Sequence, residues 1–169
     1  GVTQDQQGTK VDASHNGGTS SLSTATATAS LTVANVNDAP VIDNSGNMVL
    51  TSIYEDDTNN AGNSVASIIS SAEGNRITDV DAIASEGIAI TGLTTSSGTW
   101  QYSVNSGVSW NSIGAVSETS ALLLRSVDYL RLVPNGLGNS ANLSLRAWDQ
   151  SGATLGQQGS YLNVSSNGG

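Results

Sequence analysis

The two ends of this chain of 169 residues repeat each other, and this repetition limits what the chain can fold into. The segments Thr3 to Gly18 and Thr154 to Gly169 share 8 identities in 16 positions without gaps, at an offset of 151 residues. Composition alone would give roughly one or two identities. We therefore expect one period of a tandem array, cut so that both ends fall inside a repeat.

The segment after the first Asn-Gly-Gly sequence alternates small apolar and polar residues with a period of two. This alternation predicts a half-buried β-strand at about Leu22 to Val36. Its apolar face would be formed by Ala25, Ala27, Ala29, Leu31 and Val33. The sequence Asn37 to Pro40 that follows is a turn-forming linker ending in proline, which cannot continue a sheet.

We place a domain boundary at this linker. Residues 1–38 would hold the last strand of a preceding repeat, and residues 39–169 would form a sandwich body that lacks its own last strand. In a continuous array, the strand at Leu22 to Val36 completes the preceding module of the same chain. In a separate polypeptide, it is added to the neighbouring subunit by β-augmentation and a filament results. The sequence leaves both arrangements open.

Short strand candidates separated by turn clusters fill the body, and a helical turn is compatible only with Ser67 to Asn75. Many short strands with regular turn signals predict an all-β sandwich with antiparallel pairing. The candidate strands are Met48 to Ile53, Val65 to Ile69, Gly87 to Leu93, Thr99 to Val104, Val108 to Ile113, Ala121 to Leu124, Tyr129 to Val133, Ala141 to Trp148 and Ser160 to Val164.

Charge and composition exclude several classes of function. The net charge of -9 disfavours nucleic acids and anionic membranes as partners, and cations are the natural small ligands. The chain has no Cys, which removes thiolate zinc sites and disulfides. No apolar run reaches the roughly 18 residues of a membrane helix, so no membrane insertion is expected. The lone His15 in a loop and the absence of a nucleophile setting around it predict that the chain is not an enzyme.

Acidic residues cluster at several predicted strand ends. In a sandwich these carboxylates would gather at one end, where they repel one another unless a cation lies between them. Ca²⁺ accepts six to eight oxygen ligands and would suit such a site. The alternative is a set of solvated loop acids. The clusters are Glu55 to Asp57, Asp79 to Asp81, Asp149 and Asp38.

Four short motifs in a fixed order make the chain resemble the cadherin-like tandem repeats of very large bacterial surface and adhesin proteins. The motifs are Asn37-Asp38-Ala39-Pro40, Tyr54-Glu55-Asp56-Asp57-Thr58, Thr78-Asp79-Val80-Asp81-Ala82 and Arg146-Ala147-Trp148-Asp149-Gln150. The resemblance covers nearly the whole chain and implies an immunoglobulin-like, cadherin-like β-sandwich with a displaced terminal strand.

Cadherin-type domains bind Ca²⁺ at their junctions, and the resemblance therefore implies a calcium site in this chain. The implied ligands are Asp38, Glu55, Asp79, Asp81 and Asp149. The linker departs from the animal pattern, with Ala39-Pro40 directly after Asn37-Asp38, so fewer ions per junction are expected. The implied function is extracellular and structural or adhesive, on a bacterial cell surface. The expected partners are copies of the chain or adjacent repeats.

A ligand-binding module is the second hypothesis. Trp100 and Trp110 would stack against polysaccharide or another surface glycan, while the alternative for these rings is core or hairpin packing. Ser103 to Trp110 also resembles the Asp-box hairpin of sialidases, with Asn105 in place of Asp. In that motif the Asx side chain and the glycine shape a tight turn, so the signal is structural.

Overall fold

The computed structural model describes residues 7–81 and 85–166, and the chain divides into two compact units, Gly1–Asn35 and Val36–Gly169. Within residues 7–35, the first unit contains no helix or strand. Its backbone bonds are local, as where Gly17 N donates to Leu22 O at 2.8 Å. Leu31 is 89% exposed and Val33 is 86% exposed. The segment Leu22 to Val36, predicted to be a half-buried strand, is therefore exposed and lies outside any strand in this structure.

The second unit contains ten strands and one α-helix among its described residues, and a short 3₁₀-helix at Gly152–Thr154. The helix α1 spans Val65–Ile69. The strands are β1 (Val41–Ile42), β2 (Asn63–Ser64), β3 (Ile77–Thr78), β4 (Gly87–Leu93), β5 (Gly98–Ser103), β6 (Asn111–Ser112), β7 (Ala121–Arg125), β8 (Tyr129–Pro134), β9 (Leu143–Trp148) and β10 (Tyr161–Leu162).

Two four-stranded antiparallel sheets form most of this unit. One sheet has the order β10-β7-β4-β9 and the other has the order β2-β8-β5-β6, while β1 pairs separately with β3. In the first sheet Gly87 lies opposite Trp148, so β4 begins at the end of the sheet where β9 finishes. Both sheets contribute to one hydrophobic cluster, as the sequence predicts for a sandwich. The all-β, antiparallel fold class is therefore confirmed.

The alternation of β9 divides its side chains between the two faces of its sheet. Leu143, Leu145 and Ala147 pack against the cluster shared by the two sheets. Trp148 lies in a second cluster with Ala89 and Leu123, on the opposite face. Its ring nitrogen donates to Thr154 Oγ1 at 2.8 Å, which satisfies the one polar atom of a buried side chain.

Val65 to Ile69 is α1 and not a strand, so the prediction for this segment is wrong. Three side chains, Val65, Ile68 and Ile69, are buried at the i, i+3, i+4 spacing of a helix face. Ser64 caps the helix, because its Oγ accepts from Ser67 N at 3.1 Å. The Val65 amide donates to the Asp128 carbonyl at 2.8 Å. The tertiary contacts and the cap override the β-branched composition of the segment.

The segment Met48 to Ile53 also forms no strand in the described part of the chain. Two of its amides bond to side chains instead of a neighbouring backbone. Val49 N donates to Ser71 Oγ at 2.8 Å, and Thr51 N donates to Asn63 Oδ1 at 3.0 Å. The segment thus lies beside the sandwich without extending a sheet ladder.

The turn after β5 has the side-chain bonding that the Asp-box resemblance implies. Asn105 Oδ1 accepts from Ser109 N at 3.0 Å and from Ser103 Oγ at 2.8 Å. Ser106 and Gly107 both have positive φ, at 58° and 82°, which the tight turn requires. This hairpin is a structural element, and it leads into Trp110.

Candidate functional site

Four acidic residues line one small cavity at the end of the sheet where β4 begins and β9 ends. The cavity has a volume of about 280 Å³ and is lined by Asp79, Asp81, Glu86 and Asp149. We call it the acidic pocket. Asp79 and Asp81 follow β3, and Asp149 follows β9. The antiparallel register of β4 and β9 therefore brings Glu86 and Asp149, which are distant in sequence, to the same end of the sheet.

The linker bonds directly to carboxylates of the acidic pocket. Asn37 Nδ2 donates to Asp149 Oδ2 at 2.8 Å, and Asp38 N donates to Asp81 Oδ2 at 2.9 Å. Asp38 contributes its backbone amide to this contact and not its carboxylate. These two charge-assisted bonds hold the linker against one end of the body.

Asp149 titrates below its usual range. Burial alone raises the pKa of Asp149, but hydrogen bonds from Asn37 and Ser151 outweigh burial and lower that pKa. The bond from Ser151 N to Asp149 Oδ1 is 3.0 Å long. Asp149 is therefore held ionised by donors that come from the linker and from its own turn.

Asp79 has one satisfied and one unsatisfied carboxylate oxygen. Its Oδ1 accepts from Asp81 N at 2.8 Å, whereas its Oδ2 is buried and has no hydrogen-bond partner among the described residues. A buried carboxylate oxygen without a donor is costly, so this atom is where a cation would relieve the structure most. The oxygen chemistry of the pocket fits a hard cation such as Ca²⁺. No three acidic or histidine side chains, however, are grouped as a ready metal site within residues 7–81 and 85–166.

Glu55 does not lie with the other predicted ligands. A Cβ added to Gly138 would come within 3.1 Å of Glu55 Oε2, which places Glu55 beside the loop between β8 and β9. That loop precedes β9, whereas Asp149 follows it, so the length of β9 separates Glu55 from the acidic pocket. The prediction that Glu55 joins Asp79, Asp81 and Asp149 is not met in this structure, because its segment passes the other end of the sheet.

Sequence reasoning missed Glu86 and the side chain of Asn37. Glu86 lines the acidic pocket and accepts a short hydrogen bond from Asn75 Nδ2. The signal available was its position directly before the predicted strand at Gly87. An acid before one strand meets an acid after its antiparallel partner, but the pairing of β4 with β9 was not predicted.

A second and larger cavity opens along one side of the sandwich, and we call it the lateral groove. Its volume is about 1090 Å³. Leu143 and Leu145 of β9, the edge strand of one sheet, line it together with Asn63 of β2, the edge strand of the other. Met48 to Ile53 line it as well. The groove is therefore a gap between the two sheet edges.

The two tryptophans predicted as a stacking platform are not equivalent. Trp100 is 4% exposed and lies in the shared cluster, with Nε1 donating to Thr94 O at 2.8 Å. Its ring is too buried to serve as an exposed stacking platform for a sugar, and the core-packing alternative describes it. Trp110 is half-buried, and the Arg131 guanidinium carbon lies 4.2 Å from the centre of its ring. That cation–π contact covers one face of the only remaining candidate ring.

His15 lies in an exposed turn, where its Nδ1 is 3.2 Å from Ser14 Oγ. No helix among the described residues is long and apolar enough to cross a lipid bilayer.

Comparisons with protein-family models, with curated proteins and with solved structures found no match to the chain. The cadherin-like resemblance thus rests on the motifs of the chain alone.

Proposed function

We propose that the chain is an extracellular structural or adhesive repeat, a cadherin-like β-sandwich that assembles end to end into a fibre or stalk. One observation carries the proposal: the alternating segment at Leu22 to Val36 belongs to no strand of the described chain, and its Leu31 and Val33 side chains are almost fully exposed. An uncharged segment with the alternating pattern of a strand, exposed in this way, is suited to pairing with another chain. The partner is a copy of the chain or an adjacent repeat.

Strand addition would give hydrogen-bond partners to the backbone of this segment and would bury its apolar side chains. Its backbone groups would enter a ladder, where each hydrogen bond is worth about 0.5–1.5 kcal/mol. Burial of Leu31 and Val33 would each add about 1.5–3 kcal/mol. The segment Thr19 to Val36 contains no charged residue, so its insertion would desolvate no charge of the segment itself.

Ca²⁺ at the acidic pocket is the second part of the proposal. Asp79, Asp81 and Asp149 would hold the ion through carboxylate oxygens, and the buried, unpaired Asp79 Oδ2 is the observation that supports it. When bound, the ion would cancel the repulsion among these carboxylates. Because Asn37 and Asp38 bond to two of them, an ion there would also stiffen the linker.

The assembly is tested by a matched pair of variants in the full chain. Leu31→Asp places a charge on the apolar face, and Thr32→Asp places the same charge one residue later, on the polar face. Light scattering and electron microscopy should show linear polymers for the unmodified chain and for Thr32→Asp, and monomers for Leu31→Asp. A chain that stays monomeric at high concentration without any substitution would refute the proposal.

The calcium site is tested by thermal melts in millimolar Ca²⁺ and after chelation. Ions at a hundredfold excess over the dissociation constant should stabilise the fold by about 2.7 kcal/mol. Asp79→Asn should abolish this gain, while Glu55→Gln, which removes a carboxylate far from the pocket, should retain it. Equal melting temperatures with and without Ca²⁺ would refute the calcium site and leave the assembly proposal standing.

A further inference from the structure

We propose that the lateral groove is the acceptor site for the segment Leu22 to Val36 of a second copy, which pairs with the free edge of β9. This inference rests on the proposed function and names the surface that it uses. The occupant is a segment that is present in the chain, exposed and outside any strand.

The free edge of β9 is the longest one that the sandwich offers. β9 has β4 on one side and, among the described residues, no strand on the other. It is six residues long, whereas the other edge strands, β2, β6 and β10, have two residues each. A donated strand therefore finds the most unpaired backbone groups at β9.

The side chains of β9 that face the core are incompletely covered. Leu143 and Leu145 pack against the shared cluster but are only partly buried, and both line the lateral groove. The floor of the groove includes Ile68 and Trp100, which are fully or nearly buried core residues. The groove thus reaches the core itself. The apolar face of a strand placed in the groove would cover the exposed part of the core.

The segment Met48 to Ile53 also lines the groove and belongs to no strand of the described chain. Met48 and Leu50 line the groove, and both are partly buried against the core. The amides of Val49 and Thr51 bond to side chains of Ser71 and Asn63, as described above, so this segment makes no backbone ladder of its own. A strand added to β9 in the groove would contact the apolar side chains of Met48 and Leu50, together with polar residues of the lining such as Asn142.

The segment is longer than the free edge of β9, and it contains no charged residue. An extended chain of fifteen residues exposes about 2,000 Å². The roughly 800 Å² per partner of a standard stable interface is about 40% of that area, so residues beyond the six that can pair with β9 must also contact the groove. The residues that would enter first are small, Ala25, Ala27 and Ala29, followed by Leu31 and Val33.

Disulfide trapping between full-length variants tests the site, because the chain has no cysteine of its own. Ser144→Cys lies on the exposed face of β9, and it is mixed with differently tagged copies carrying Thr26→Cys, Thr28→Cys or Ser30→Cys on the polar face of the segment. Asn163→Cys, an exposed position next to β10, is the matched control at another sheet edge. Melting temperatures verify that each variant is folded.

We expect a mixed dimer with Ser144→Cys at one or two of the three positions, and at least tenfold less product with Asn163→Cys. Product with Asn163→Cys alone, or polymers without product at either edge, would overturn the acceptor site while strand donation stands. Absence of product together with a monomeric unmodified chain would instead refute the proposed function. The two failures are therefore distinguishable by light scattering on the unmodified chain.

Discussion

The segment at Leu22 to Val36 and strand β9 have the same alternating pattern but different surroundings. In β9, Leu145 lies opposite Ile90 of β4 and packs into the core. In the first segment, Leu31 is 89% exposed. The period of two decides which side chains share a face, while only a paired neighbour decides whether that face is buried. The contrast shows a strand pattern with a partner and the same pattern without one.

Two Asp-x-Ser turns give a second contrast between the units. Ser14 N donates to Asp12 Oδ1 and Ser45 N donates to Asp43 Oδ1, both at 2.9 Å. In the body, Arg76 adds an ion pair to Asp43 at 2.6 Å. The same local motif therefore acquires a tertiary contact only where the chain is folded around it.

The largest expected effect comes from truncating the same residue type in each region. Leu122→Ala removes a fully buried side chain and should lower the free energy of unfolding by about 2–5 kcal/mol. Leu31→Ala should change it by less than about 0.5 kcal/mol at concentrations where the chain is monomeric. Urea denaturation measures both values. A large loss for Leu31→Ala in the monomer would mean that the segment is already packed.

A smaller effect is expected at the turn between β7 and β8. Asp128 is fully buried and accepts from Arg125 N at 2.7 Å and from the Arg125 guanidinium at 2.8 Å. Asp128→Ala leaves these donors unpaired and should cost about 1–3 kcal/mol. Asp128→Asn keeps an acceptor and should cost less.

The matched change in the first unit, Asp12→Ala, removes only an exposed turn bond and should be nearly neutral. Urea denaturation of the three variants ranks them. Equal losses for Asp12→Ala and Asp128→Ala would contradict the difference between an isolated turn and a buried one.

The smallest effect is the response to acid. Hydrogen bonds from Ser45, with the contribution of Arg76, lower the pKa of Asp43 to about 2, and the turn bond from Ser14 lowers the pKa of Asp12. Because the folded pKa of Asp43 lies below the unfolded value, its contribution to stability is complete above about pH 4 and is lost as the pH falls towards 2. Carboxyl shifts measured by NMR during titration follow both groups.

In Arg76→Gln the pKa of Asp43 should rise towards that of Asp12, because both then depend on the Asp-x-Ser turn alone. The pKa of Asp12 should stay unchanged and serves as the internal control. An unchanged Asp43 would mean that Arg76 contributes nothing to this ionisation.

Much of the fold follows from patterns that act locally. The runs at Gly87 to Leu93 and Ala121 to Leu124 are β-strands because they alternate or bury both faces, and they are bounded by turn residues. The segment at Val65 to Ile69 shows the limit of this reasoning. Its β-branched residues favour a strand, but the Ser64 cap and the contact with the Asp128 carbonyl make it a helix.

Which acidic residues come together in the candidate site depends more on how the strands pair than on the short sequence motifs. The clustering of Asp79, Asp81 and Asp149 was predictable from their positions at strand ends, and the structure places them around one cavity. Glu55 was assigned to the same end because Met48 to Ile53 was predicted to be a strand leading to it. That segment is bonded by side chains and passes the opposite end of β9, which no local pattern encodes.

The sequence by itself determined the all-β class, the faces of its strands, the acidic character of one end and the alternating pattern of Leu22 to Val36. These properties depend on the period of two and on turn residues, which act over a few positions. Only the tertiary structure decided that Trp100 is core, that Glu86 joins the acidic pocket and that β9 keeps a free edge beside a groove. These depend on which strands become neighbours, a choice made by contacts between residues far apart in the chain.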